Sequence, residues 1–508
     1  MFTSSSPFLL FDYLRVPYVL GEPGQPATGG APPGSWGRLA PSRSGAPALL
    51  WSALRADPQA PDPRATAGMQ RFRLGPAILH GHLRPDDAVA TALAATAQAW
   101  SRMEELTDED GGRLGSVWRS ADGDLLLPFD PDEVITTFWS ERYAEAGSGG
   151  TGGRVRMTAM AGYYAVRPLL PRRLQIALRR GYSHVQARTA FPRWPVEDSL
   201  HDLCERLLNW CADLAGEPVP SLAAWPSGHT WALVLTHDVE TDEGLRRVPA
   251  LRSVEERTGN RSSWNLVPGR YHVDDGVVRE LQQAGFEVGL HGLYHDGRDL
   301  EPGQFEQRLP EIQRYATRWG AVGFRSPATH RSWGTMARLP FEYDSSSPDT
   351  DPYEPQPGGC CSLLPFQNGR LVELPITMPQ DHTLFVILSA TDGRQWIEKA
   401  DRIRERGGMA LIITHPDYVD QGPIVQAYEQ LLRHVGDDPG VWRALPREVA
   451  AWWRRRGASI PTLDGTAWSV SGPAVGEAEI RWTDPPPSST SPAPVPSDTA
   501  ASRAAVPP

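Results

Sequence analysis

The sequence predicts an α/β protein whose main unit, residues 228–458, is a run of β-then-α repeats around a parallel sheet, open or closed into a barrel. Two observations predict it. Short apolar runs alternate over this span with amphipathic stretches of helical period. In addition, four polar clusters each fall where a predicted strand ends. That edge is where active sites assemble in parallel α/β folds.

The elements follow in order. WALVLTH (231–237) is an apolar run of the buried-strand type, with a helix expected near 244–257. SSWNLV (262–267) is the next strand, and DGVVRELQQAG (275–285) reads as a helix closed by Gly285 at its C′ position. FEVGLH (286–291) is a strand before a helix near 303–319, and AVGFRS (321–326), FEYDSS (341–346) and LVELPI (371–376) are further strands. A helix near 394–406, the strand GMALIITH (408–415) and a helix near 424–435 complete the series.

The rest of the chain is less regular. Residues 1–48 read as an N-terminal segment whose Gly/Pro-rich part, 21–48, is a linker. Residues 49–227 form a mixed α/β region with helical period at 87–105 and 199–215 and a glycine-rich break at 147–154. Residues 459–483 are a short β appendage, hairpin-like over 464–482, and 484–508 a tail too poor in apolar residues to fold.

Composition narrows the function classes. A net charge of −11 over 508 residues lacks the basic face that nucleic-acid binding needs. Lys399 is the only lysine, an arginine bias that reads as GC-rich coding. Four cysteines with no CxxC pair are neither a disulfide framework nor a cysteine zinc site, and are expected as buried thiols. No apolar run suits a signal peptide or a membrane span, so a cytoplasmic placement is expected.

The chemistry concentrates in THDVE (236–240), HGLYH (291–295), FRSPATH (324–330) and THPDY (414–418). His291 and His295 are four apart, a spacing that lets both imidazoles reach one ion, and imidazole suits zinc. Asp238 and Glu240, two apart on a strand, point the same way, so one can bind metal while the other acts as base.

Taken with ELPIT (373–377), these motifs resemble, in order and spacing, those of the polysaccharide deacetylase (NodB homology) superfamily, over less than half of the chain. The resemblance implies a distorted (β/α) barrel, a divalent metal, most simply zinc, and removal of N- or O-acetyl groups from an acetylated carbohydrate. Residue by residue it makes Asp238 the general base, Arg325 the residue that orients it, and His415 the general acid. His291, His295 and Glu240 become the metal ligands, with Asp238 the alternative third ligand. Pro327, Leu374 and Pro375 fall in its substrate-binding motifs. The main departure is Val239, where the family usually has a metal-binding aspartate; Glu240, one residue on, fits a variant of that pattern.

Plainer readings stand beside these. His415 can cap a strand end, Arg325 can be an ordinary ion-pair partner, and His237 reads as a hydrogen-bonded core residue. His330, His382, Trp333, Tyr343, Tyr353 and the acidic loop 349–359 can line a cleft or merely pack. Two competing functions are an amidohydrolase of the same fold acting on non-acetyl C–N bonds in small molecules, and a catalytically silent carbohydrate-binding protein. Retention of Asp238, His291, His295, Arg325 and His415 together argues against the silent protein.

Overall fold

The protein is seen here as a computed structural model, which describes residues 1–21, 36–52, 68–144, 172–420 and 423–486. The break at 147–154, residues 22–35 of the expected linker and 487–508 of the expected tail lie outside the described residues.

The second half holds a nine-stranded sheet in which the first strand, Trp231–Val239, has three strand partners. Along one edge it pairs in parallel with Met409–Thr414; the other edge is shared by Val441–Arg443 at its start and Ser263–Leu266 at its end. From there Glu287–Leu290, Gly323–Phe324, Tyr343–Asp344 and Leu371–Glu373 follow in parallel, and Phe366–Asn368 closes antiparallel. Just past Glu373, Thr377 and Met378 donate backbone hydrogen bonds to Leu411 in the strand at the opposite end. The sheet is therefore strongly curled.

Helices Asp242–Arg257, Asp275–Gln283, Gln304–Trp319, Arg394–Glu405 and Ile424–Gly436 fall where the periodicity predicts them. Thr241 caps the first by accepting from the Gly244 backbone N–H, and Gly285 follows the second with φ 84°.

The first half departs from expectation. It is built on a second nine-stranded, mostly antiparallel sheet, running from Tyr18–Leu20 at one edge to Ala77–Gly81 at the other. Trp36–Pro41, expected within the linker, is one of its strands, with alternate residues buried. The helical period at 87–105 ends early: Asp86–Ala94 is helical, but Trp100–Thr107 pairs with Arg113–Ser120 as a strand. Sheet pairing and a buried apolar face override the local preference there. Helix Ser199–Ala215, as predicted, lays Leu200, Leu203, Cys204, Leu207, Cys211 and Leu214 into this core. All four cysteines are free and buried, and Cys360, Cys361 and Phe366 of the second half join the same core.

After these helices come Pro446–Gly457 and a hairpin, Ile460–Asp464 with Ala467–Ser471; Ile480–Thr483 pairs instead with Val219–Leu222. Among the described residues no helix is long and apolar enough to cross a membrane.

The first half holds several segments of the second. Glu141 accepts from Arg331, the Tyr143 hydroxyl donates to the Gly359 carbonyl, and Arg180 donates to the Val386 carbonyl. Within the second half Lys399, 2% exposed, pairs with Asp349 at 2.8 Å, whose carboxyl burial nonetheless pushes up to about 7. Removing one partner of a buried pair leaves an uncompensated charge. Lys399→Met is expected to lose about 3–5 kcal/mol of unfolding free energy at pH 8, measured by denaturant titration. A carboxyl whose folded pKa is raised costs stability as pH climbs through that pKa, so the loss should shrink at pH 5, where Asp349 protonates. A loss independent of pH would show that the carboxylate is not the cause.

Candidate metal and catalytic site

The alternation of the first strand divides its side chains between two environments. Leu233, Leu235 and Val239 enter the core beneath the helices, while Ala232 and Val234 enter a second core on the inner face with Leu374, Ile376, Leu411 and Ile413. The same inner row continues upward to Thr236 and Asp238, both of which receive Arg325 Nη1. An apolar floor thus rises along one strand into a polar rim. Val239, on the outer row, is fully buried among apolar residues and holds no place at the rim.

Asp238, 3% exposed, accepts at Oδ1 from Asn265 Nδ2 at 2.8 Å and from Arg325 Nη1 at 3.3 Å. Its other oxygen lies 3.8 Å from His291 Nε2. Burial alone would raise this carboxyl, but Arg325, with His291, His415 and the Asn265 donor, outweighs it and holds it near 2. Arg325 is fixed in turn: Nε donates to the Ser345 carbonyl at 2.6 Å, Nη2 to Ser345 Oγ at 2.8 Å, and Nη1 also to Thr236 Oγ1 at 3.0 Å. Asn265 fits because its neighbour on the next strand is Gly289, where a Cβ would lie 2.3 Å from Asn265 Oδ1.

Glu240, His291 and His295 converge, with ligand atoms all within 4.8 Å of one another. His291 Nδ1 faces the Arg325 carbonyl at 3.3 Å; with the proton there, the Nε2 lone pair points into the group. Burial lowers His291 to about 4, so it stays neutral and able to ligate. His295 Nε2 lies 3.1 Å from Glu240 Oε1 but without the alignment of a hydrogen bond, and is a buried nitrogen with no hydrogen-bond partner among the described residues. Two imidazoles, one of them with a ring nitrogen that makes no hydrogen bond, and a carboxylate fit a divalent metal of the zinc type. Burial would raise Glu240 too, yet His295 above all, with His415 and His291, draws it well below the ordinary range.

The backbone is strained to achieve this. His295 has φ 56°, a left-handed conformation that costs a non-glycine residue on the order of 1–3 kcal/mol. The loop is held in place around it: Leu293 donates to Asp299 at 3.1 Å, Arg308 ties Asp299 and Asp296, and a Cβ at Gly292 would collide with Asp299 and Pro327.

His415 sits opposite, its Nε2 3.8 Å from Glu240 Oε1 and its Nδ1 2.6 Å from Asp381 Oδ1. Burial would lower the imidazole, but the Asp381 carboxylate, with Glu240 and Asp238, overrides it and lifts it to about 10. Asp417, two residues on, accepts from the Glu240 N–H at 3.0 Å and from the Thr241 hydroxyl, fixing the turn that presents Glu240.

All six predicted catalytic and ligand positions therefore meet at one edge. Pro327 is buried against Gly292, and Leu374 and Pro375 are buried, Leu374 on the inner apolar floor. His237 is a core residue, bonded to Thr414 and Glu255 at 2.7 Å each and stacked on Trp264. Tyr343, Tyr353 and Trp333 pack against Glu287, Trp194 and Phe366 respectively. Sequence reasoning missed Asn265, Ser345, Asp381 and Asp417. Asp381 stood in PQDHT and Asp417 in THPDY, so an acid beside each candidate histidine was the available signal.

No family model matches this chain, and no curated protein matches it. Solved structures do. It is similar to a Mycobacterium smegmatis protein described as a polysaccharide deacetylase, at 21% identity over 48% of this chain and 98% of that one, with a TM-score of 0.39. A Puue allantoinase follows at 14%, 48%, 96% and 0.38, and a family 4 acetyl xylan esterase from Clostridium thermocellum, holding cobalt, at 15%, 44%, 91% and 0.31. With scores this low, what the site does has to come from its own residues.

The His415–Asp381 contact makes a direct prediction. In metal-free protein followed by NMR, the His415 imidazole should titrate at clearly lower pH in Asp381→Asn than in the parent chain. An unmoved titration would remove Asp381 as the cause.

Proposed function

We propose that this protein is a metal-dependent hydrolase that removes acetyl groups, N- or O-linked, from a carbohydrate. The observation that carries the reading is the convergence of Glu240, His291 and His295 beside a separately held carboxylate and a carboxylate-backed imidazole. The curled sheet beneath them fits the distorted (β/α) barrel of polysaccharide deacetylases, and the Thr377 and Met378 bonds to Leu411 support that reading.

Glu240, His291 and His295 would hold the ion, with zinc the element the donor set suits best. Such an ion acidifies bound water to a pKa of about 7 and polarises an acyl oxygen. The chain's own groups do the rest. Asp238 has one oxygen committed to Asn265 and Arg325, so the other is free to accept the proton of the attacking water. Arg325 keeps that carboxylate ionised and aimed. His415, held protonated by Asp381, donates to the departing amine or alkoxide. Leu374 and Pro375 would supply the apolar wall against which an acetyl methyl rests.

Two measurements test this. Protein equilibrated with zinc, cobalt or nickel and then desalted should retain about one ion per chain. His291→Ala should weaken retention beyond the roughly 10–100-fold cost of an outer-shell change. Undiminished hydrolysis by metal-free protein would sink the metal assignment. Asp238→Asn should keep the ion yet lower kcat on an acetylated sugar by about 10²–10⁴-fold, the usual scale of a lost general base. Unchanged kcat would exclude Asp238 from that role.

A further inference from the structure

Two acids beside the site are left unused by this chemistry. Asp344 and Glu373 are register partners on the strands Tyr343–Asp344 and Leu371–Glu373, and both are buried. The Ser346 N–H lies 3.1 Å from Asp344 Oδ1 and 3.2 Å from Glu373 Oε1, so the two carboxyls meet at one donor. Two buried acids this close do not both ionise. Burial, then repulsion from Glu373, pushes Asp344 well above its ordinary range, and burial raises Glu373 as well. One proton therefore stays with the pair, and Asp344 donates it to Glu373 in a hydrogen bond.

What the pair holds is the turn after Asp344. The Ser347 N–H donates to Glu373 Oε1 at 2.9 Å, and the Ser346 hydroxyl to Asp344 Oδ2 at 3.0 Å. Ser346 Oγ accepts in turn from the Ser326 N–H at 2.8 Å. That N–H shares one rigid peptide plane with the Arg325 carbonyl, which His291 Nδ1 faces at 3.3 Å. Tying the N–H on one side of the plane fixes where the carbonyl points on the other. The donors run in one direction, from the imidazole through the peptide and the Ser346 hydroxyl to Asp344 and Glu373. Such a chain polarises along its length and makes the far ring nitrogen a better electron donor. Ser345, in the same turn, holds the Arg325 guanidinium.

We propose that Asp344, with Glu373 behind it, is a positioning residue for His291, acting through the Ser346 hydroxyl and the 325–326 peptide. Its task is to keep the imidazole proton on Nδ1 and the Nε2 lone pair facing Glu240 and His295. On the metal reading, on which this rests, that lone pair is the one the ion receives.

Two readouts on the full-length chain test this. In metal-free protein, 15N NMR of the His291 ring should report the Nδ1–H tautomer in the parent. It should move toward Nε2–H in Ser346→Ala, which removes the hydroxyl of the path. Asp344→Asn keeps the volume of the side chain but turns an N–H toward Ser346 Oγ, and should move the tautomer the same way. Calorimetry with zinc should show affinity falling about 10–100-fold in both variants, the cost of an outer-shell change. Glu373→Gln keeps an oxygen for the Ser346 and Ser347 N–H groups, and should leave both readouts as in the parent. An Nε2–H tautomer in the parent, or a tautomer unmoved in both variants, overturns the proposal. A lowered Tm with both readouts unmoved marks a merely structural role and overturns it as well. If the parent binds no zinc, the metal reading fails, and a tautomer that still shifts in the two variants upholds the path to His291.

Discussion

An ionised carboxylate near the end of the strand Trp231–Val239, only 3% exposed, has to be compensated largely where it stands. Asp238 meets that demand with Asn265 and Arg325, and each imposes a demand of its own. Arg325 is buried as deeply, so it needs the Ser345 carbonyl and hydroxyl and the Thr236 hydroxyl. Asn265 needs the space that Gly289 leaves. A single buried charge thus fixes side chains on four strands or strand ends, and gives them a rigid common frame.

The ligand group uses that frame without sharing its bonds. His291 follows the strand beside Asn265 and receives its orientation from the Arg325 carbonyl. His295 reaches the same point only by adopting a strained backbone, which the Asp299 and Arg308 contacts hold in place. Glu240 arrives from just past the strand end and is steadied through its backbone by Asp417. Among the three, the left-handed backbone and the nitrogen without a described hydrogen bond both fall on His295, while Asp238 and His415 are engaged at their rear atoms. The division separates atoms reserved for a ligand from atoms that hold the architecture.

Much of this was legible in the sequence because period and motif agree in the second half. The apolar runs marked the parallel strands to within a few residues, and the polar residues at their ends marked the rim. His237 also read correctly, since alternation turns it away from Asp238 and into the core. The first half was harder. Its strands alternate weakly, and Trp36–Pro41 sits beside a Gly/Pro-rich stretch whose composition masks it. Loop 349–359 read from its prolines and acids as a cleft rim or a plain connection; it is largely buried, because residues more than 150 positions earlier in the chain cover it. Supporting residues such as Asn265 and Ser345 carry no motif, for their roles depend on neighbours brought together only by folding.

That covering has a consequence for how the chain is organised. Arg331, Gly359 and Tyr353 lie in loops of the second half and Val386 in the helical turn His382–Ile387, and each spends a polar group on a partner from the first. Cys360, Cys361 and Phe366 are likewise packed into the first half's core. A second half cut out at residue 228 would expose these groups together. It is not a portable module to be shuffled among proteins. The two halves share one interior, and changes in either are constrained by the other.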